Sequence, residues 1–125
     1  MNLSTYSTIM AESILKSKSY EFSIKIVKLY QHLSQEKKEF ILSKQLVRSG
    51  TSIWAMVREA EFGQSKADFV NKMNVALKEA NETLYRLDVL QDTWYIDQIQ
   101  YNNIYPLWRE ILKILISSIK TLKNT

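Results

Sequence analysis

Apolar residues recur along the chain at helical spacing, and polar runs divide the recurrences into four segments. The first helix is predicted from about Lys18 to Leu33, with Leu15, Phe22, Ile26, Leu29 and Leu33 on one stripe. The residues before it, with Ile9, Met10, Ile14 and Leu15, either extend that helix or lie loose. A polar run, Ser34-Gln35-Glu36-Lys37-Lys38, closes it. The second helix is predicted from about Glu39 to Phe62, where Leu42, Leu46, Ser49, Ile53, Met56 and Ala60 step alternately by four and three. Gly63 stands where a left-handed C′ cap is wanted. Ser65, with Asp68 three residues on, reads as a capping box opening a third helix from about Lys66 to Trp94. Its seam is Phe69, Met73, Ala76, Ala80, Leu84 and Leu87. So short a turn predicts that the second and third helices run antiparallel. Asp97 and Gln100 make a second box-like start, and Ile104, Trp108, Ile111, Leu115, Ser118 and Leu122 line the last helix. Pro106 lies about two turns inside that start, so it either kinks the helix or marks a later start near Leu107; we read it as a kink. The pattern predicts an all-α, antiparallel up-down-up-down four-helix bundle forming one domain over residues 1–125.

Composition narrows the picture. Two Gly and one Pro are too few for a sandwich, a barrel or a phosphate-cradling loop. With no Cys and a single His, disulfide frameworks, thiol nucleophiles and His-rich metal sites are out. The first 16 residues lack a basic leader and a continuous apolar core, and the longest apolar runs are short, as in Ile114-Leu115-Ile116. A cytoplasmic protein is expected. Net charge is +4, and it is uneven: residues 1–38 carry +3, residues 39–108 carry −2 and residues 109–125 carry +3.

A bundle helix needs one apolar stripe, and two of these helices carry a second. Phe40, Val47 and Trp54 recur every seven residues, about 120° from the seam of the second helix, with Thr51 and Arg58 beside them. Tyr20, Ile24 and Val27 point away from the seam of the first. Exposed stripes of large apolar side chains mark interfaces, so self-association through these six residues is expected. Basic residues form stripes of their own: Arg109, Lys113, Lys120 and Lys123 on the last helix, Lys18, Lys25 and Lys28 on the first, and the neighbours Lys44 and Arg48 on the second. Each stripe alone is ordinary solvation. Repeated around a ring, they suit a phosphate backbone read without base contacts.

No catalytic or metal site is expected. His32 has Leu29, not Glu, three residues earlier, so the di-metal bundle motif is absent. No Arg precedes it with four to six residues between, which disfavours a helical ribonuclease of the Arg-x₄₋₆-His type. Glu79 with Glu82 and Glu36 with Glu39 form Glu-x-x-Glu pairs; for the first, a solvated helix face beside Lys78 is the expected reading. The run Ser49-Gly50-Thr51-Ser52 has no base nearby and reads as a patch of small residues where helices approach closely.

The stretch Leu42-Ser-Lys-Gln-Leu-Val-Arg-Ser-Gly-Thr-Ser-Ile53, then Arg58-Glu-Ala-Glu61, Ser65-Lys-Ala-Asp-Phe69 and Ala76-Leu-Lys-Glu-Ala-Asn-Glu-Thr83, resembles the bacterial four-helix-bundle proteins encoded by intervening sequences in large-subunit ribosomal RNA genes. Lys18-Ser-Tyr-Glu-Phe22 and Ile26-Val-Lys-Leu-Tyr30 fit as well, and the likeness spans about residues 16–122. The same fold family includes accessory proteins of diversity-generating retroelements. The resemblance implies a homopentameric barrel of bundles and association with nucleic acid or a nucleic-acid enzyme, without catalysis or cofactor. It also marks Arg48 and Glu59 as the polar residues to examine first, as a possible structural pair. The chain departs from the family pattern at Trp54-Ala55-Met56, where Gly-Ala-Asn is usual. The expected function is therefore a non-enzymatic, oligomeric, nucleic-acid-associated scaffold; the alternative is a protein-binding module that partners an enzyme such as a reverse transcriptase.

Overall fold

The computed structural model describes the backbone of residues 3–123 and the side chains of residues 10–122, so the side chains of Ile9 and Lys123 lie outside the described part. It holds four helices: α1 (Leu3–Gln35), α2 (Leu42–Glu61), α3 (Lys66–Asp92) and α4 (Gln98–Lys123). No strand occurs among the described residues. The first helix starts well before Lys18, because nothing in residues 3–17 breaks it and Leu15 continues its buried stripe.

The second helix begins at Leu42, three residues later than the apolar pattern predicts. The cause is Glu39. Its carboxylate accepts from the amides of Ile41 (3.1 Å), Leu42 (3.1 Å) and Ser43 (2.7 Å), satisfying donors that no earlier turn could serve. Lys38, with φ of 56°, turns the chain out of α1 in the left-handed region. Phe40 therefore sits in the connection, where helical spacing does not align it with Val47 and Trp54.

The Ser65 cap forms as predicted, accepting from the Asp68 amide at 3.1 Å, while the Asp68 carboxylate accepts from Gln64 rather than from Ser65. Gly63 is not left-handed; its amide simply donates to the Ala60 carbonyl at 3.0 Å. The second box closes in both directions, with Asp97 accepting from the Gln100 amide at 2.8 Å and Gln100 accepting from the Asp97 amide at 2.9 Å. The fourth helix runs on through Pro106, which excludes the later start near Leu107. Pro106 is exposed, so water can serve the carbonyl whose amide donor it lacks.

Each helix packs against two others, α1 on α2 and α4, α3 on α2 and α4, and among the described residues the backbones of the diagonal pairs stay apart. Residue numbers rise along α1 as they fall along its neighbours: Lys16 meets Glu61, Tyr20 meets Trp54, and Ile26 lies over Gly50. On the other side Lys18 meets Glu110 and Lys25 meets Asn103. The core holds Leu15, Phe22, Ile26, Leu33, Leu46, Ile53, Met73, Leu87, Leu90, Ile104, Ile111 and Leu115, all fully buried. The seams drift from the predicted ones: Val57 is buried where Met56 was expected, Thr83 where Leu84 was, and Ile119 where Ser118 was. Straight helices turn every 3.6 residues, so a strict 3.5-residue reading slips round the cylinder. Trp108 donates to the Ala80 carbonyl at 2.8 Å, and Tyr101 donates to Asp88 at 2.6 Å; burial first, and that bond second, hold the Tyr101 phenol above its ordinary range.

Gly50 is the tightest approach. A Cβ there would lie 2.8 Å from Ile26 Cγ2 and 3.2 Å from its Cβ, the rigid root of a fully buried side chain. Gly50→Ala gains about 1 kcal/mol of helix propensity but forces α1 and α2 apart, an overpacking cost of about 1–3 kcal/mol. Net destabilisation is expected, and Ile26→Ala in the same chain should remove the two closest contacts, those to Cγ2 and Cγ1, leaving only the Cβ contact at 3.2 Å. A denaturant double-mutant cycle showing no coupling between the two sites would contradict this account.

Candidate functional site

Two surfaces and a set of scattered basic residues carry the side chains singled out by the sequence. The first is the outer face of the α1–α2 seam. Tyr20 on α1 and Trp54 on α2 meet edge to face with ring centroids 6.2 Å apart, and the Arg58 guanidinium lies 5.4 Å from the Trp54 ring centroid. The register set by Tyr20–Trp54 and Ile26–Gly50 puts Val27 level with Val47 and Ile24 level with Thr51. The two surplus stripes thus merge into one apolar face. Tyr20 and Ile24 are exposed, and Val27, Val47 and Trp54 are half-buried. Phe40 is 52% exposed but stands at the end of the bundle rather than on this face.

The second surface is a polar cleft of about 320 Å³ between α2 and α3, lined by Gln45, Arg48, Ser49, Glu79, Glu82 and Arg86. At its floor Thr83 donates to Ser49 at 2.9 Å, both fully buried or nearly so. Arg86 reaches Gln45 at 3.4 Å across the cleft and Glu82 at 3.7 Å along its own helix. Glu79 and Glu82 line the cleft on the side facing α2, and the Glu82 side chain is still 40% exposed, so they belong to a solvated face that borders α2. That border was hidden in sequence because Thr83, not Leu84, is the seam position there. Arg48 and Glu59 do not pair; eleven residues apart on one helix they are separated by about 16 Å. Glu59 instead meets Lys72 at 3.5 Å.

The basic residues do not gather in one place. Lys18 and Lys25 lean across the α1–α4 seam to Glu110 and Asn103. Lys28 is exposed on the outer side of α1, and Lys44 on the outer side of α2. Arg109, Lys113 and Lys120 are exposed along α4, where Lys113 and Lys120 flank a shallow groove with Ile116, Ser117 and Thr121. Lys123 belongs to the same spacing, but its side chain is outside the described part. His32 is half-buried, and its Nε2 has no hydrogen-bond partner among the described residues. No group of three or more residues able to hold a metal ion occurs among them. No described helix is long and apolar enough to cross a membrane.

Sequence reasoning missed one feature altogether. The end of the bundle formed by the α1–α2 and α3–α4 connections exposes Ile41 (73%), Trp94 (88%) and Ile99 (80%). Trp94 was assigned to the third helix, but α3 stops at Asp92. Trp94 occupies the left-handed position after the helix, with φ of 71°, its amide donating to Gln91 and that of Tyr95 to Leu90. Glycine is the usual residue there, and nothing in the local spacing announces a Trp in that role.

Fold and surfaces together define an all-α protein of four packed helices. Residues 11–117 match the 23S rRNA-intervening sequence protein family, and the chain belongs to that family. A crystal structure of a protein of unknown function from the S23 ribosomal protein family of Bacteroides thetaiotaomicron is similar, with 55% sequence identity and a TM-score of 0.86. The match covers 88% of this chain and 98% of that one. Among curated proteins, none matches.

Proposed function

We propose that the chain is a non-enzymatic, cytoplasmic scaffold. It folds as a single antiparallel up-down-up-down domain, assembles with copies of itself through the α1–α2 face, and associates with nucleic acid through basic side chains. The opposite numbering along α1 and its neighbours supports the topology. The merged face of Tyr20, Ile24, Val27, Val47 and Trp54 supports self-association, and the family resemblance supplies the number five. The observation that carries nucleic-acid association is membership of the 23S rRNA-intervening sequence family in a chain whose α4 displays Arg109, Lys113 and Lys120 with no acidic partner among the described residues. A ring repeats this stripe once per subunit, and phosphates are then contacted without base readout.

Salt dependence tests the reading. Binding to labelled RNA and DNA oligonucleotides, followed by anisotropy, should weaken as salt rises, by about 0.7–0.9 in log K per log salt for each phosphate neutralised. Arg109→Gln with Lys113→Gln and Lys120→Gln should flatten that slope by at least about 2 and leave the circular dichroism spectrum unchanged. Arg48→Ala is the contrast: it should alter the α2–α3 cleft and stability more than the slope. No binding to either polymer at low salt would favour the protein-partner module instead.

A further inference from the structure

The exposed end of the bundle lies away from both the α1–α2 face and the α4 stripe. Its five large apolar side chains are Phe40, Ile41, Trp94, Tyr95 and Ile99. Such a cluster is costly to leave in water. Trp94 adds a second cost, since a bulky residue with positive φ is a backbone outlier. The cluster has two halves. The α1–α2 connection contributes Phe40 and Ile41 together with Lys37 and Lys38, both exposed. The α3–α4 connection contributes Trp94, Tyr95 and Ile99 together with Asp92 and Asp97, also exposed. The two halves adjoin, for Lys37 lines one depression with Trp94, Tyr95, Asp97 and Gln100. None of these four charged side chains forms an ion pair within the described chain. Glu36 is the one further exposed charge on the connections.

This arrangement is complementary to itself. A two-fold axis through the middle of the end lays the basic half of one copy on the acidic half of the other. Phe40 and Ile41 then cover the partner's Trp94 and Ile99, and Lys37 and Lys38 oppose its Asp92 and Asp97. An isologous contact of this kind closes on itself and does not propagate. We infer that the end of the bundle is a docking surface for a second copy of this chain, held by Trp94 and Ile99 and oriented by the Lys37/Lys38–Asp92/Asp97 pairs. The contact is independent of the lateral association proposed above. If the lateral assembly is a ring, end pairing joins two rings face to face.

Mass in solution decides the matter. Light scattering of the full chain should give an assembly of twice the mass of the Trp94→Glu variant, with unchanged circular dichroism. Lys37→Glu with Lys38→Glu should also halve the mass. So should Asp92→Lys with Asp97→Asn, a pair chosen because Asn still caps α4. An equimolar mixture of these two charge variants should recover the full mass, since one end is then acidic throughout and the other is net basic, with Glu36 its remaining carboxylate on the connections. Masses equal for wild type and Trp94→Glu, or charge variants that fail to complement, would overturn the proposal. The lateral interface is read separately, because Trp54→Glu breaks it and leaves end-paired dimers.

Discussion

Trp54→Glu should collapse the assembly laterally, leaving no species larger than the end-to-end dimer. Trp54 is the centre of the α1–α2 face, braced by Tyr20 on one side and Arg58 on the other. It is half-buried in the single chain, so subunit packing would remove the rest of its surface from water. Large aromatic side chains at the centre of an interface dominate its energy, with losses of about 2–4 kcal/mol on truncation. A carboxylate is worse than truncation, because an ionised group buried without a partner adds a desolvation penalty of several kcal/mol. In a ring the penalty recurs at every interface. With the indole gone, Arg58 one turn on is free to pair with the new carboxylate and offsets part of this penalty, but the apolar contact of the ring is lost either way. Trp54→Phe is the control: it keeps an edge-to-face partner for Tyr20 and should retain the assembly. The isolated fold should survive the Glu variant, since Trp54 lies outside the fully buried core. An unchanged mass by light scattering would show that this face is free in solution and that the surplus apolar stripes serve another purpose.

Much of this architecture is legible in the sequence, and the failures share a physical cause. The Asp97–Gln100 box and the Ser65 cap on the Asp68 amide are local, so those hydrogen bonds follow from four residues, whereas the return bond of Asp68 goes to Gln64 instead of Ser65. Close packing at Gly50 was legible for the same reason: a glycine inside a strong seam needs a neighbour that tolerates no side chain, and Ile26 supplies it. The convergence of Tyr20, Ile24 and Val27 with Val47 and Trp54 was legible as two stripes, but only the register of α1 on α2 makes them one face. Errors arose where a residue's role depends on a partner distant in sequence or on an unusual backbone. The cleft that Glu79 and Glu82 line was not legible, because its opposite wall is made by Arg48 and Gln45 on another helix. Trp94 read as the last residue of a helix because its left-handed backbone is a position that sequence rules reserve for glycine. The basic stripes were legible residue by residue, yet Lys18 and Lys25 turn out to face Glu110 and Asn103 across a seam.

Glu39 shows the same limit most plainly, and its replacement should have a large effect on stability. In sequence it is one half of a Glu-x-x-Glu pair and the first residue of a helix. In the structure it is only 8% exposed and precedes the helix it caps. Burial alone would push its carboxyl up from the ordinary 4.5, but the amide donors of Ser43, Leu42 and Ile41 and the Ser43 hydroxyl outweigh burial and hold it lower. Hydrogen bonds to a charged acceptor contribute about 1.5–3 kcal/mol, and helix N-caps about 0.5–2 kcal/mol. Glu39→Ala should therefore cost about 2–3 kcal/mol, because the amides of Ile41 and Leu42 and the buried amide of Ser43 lose their acceptor, the last with no water to replace it. Glu39→Gln keeps one acceptor oxygen and loses the charge, so an intermediate loss is expected. The pH dependence has a fixed sign. A carboxyl whose folded value is depressed binds its proton less readily when folded than when unfolded. Its contribution is fully present above the unfolded value near pH 4.5 and disappears as pH falls through the lower folded value. Melting temperature in the wild type should drop across that window by more than in Glu39→Gln, and the two curves should converge at the acid end. Parallel curves would mean that the amides of Ile41, Leu42 and Ser43 do not depend on the charge. The same carboxylate holds the Ile41 backbone in place at the end of the bundle, so Glu39→Ala should also weaken end-to-end pairing, at temperatures well below its melting point.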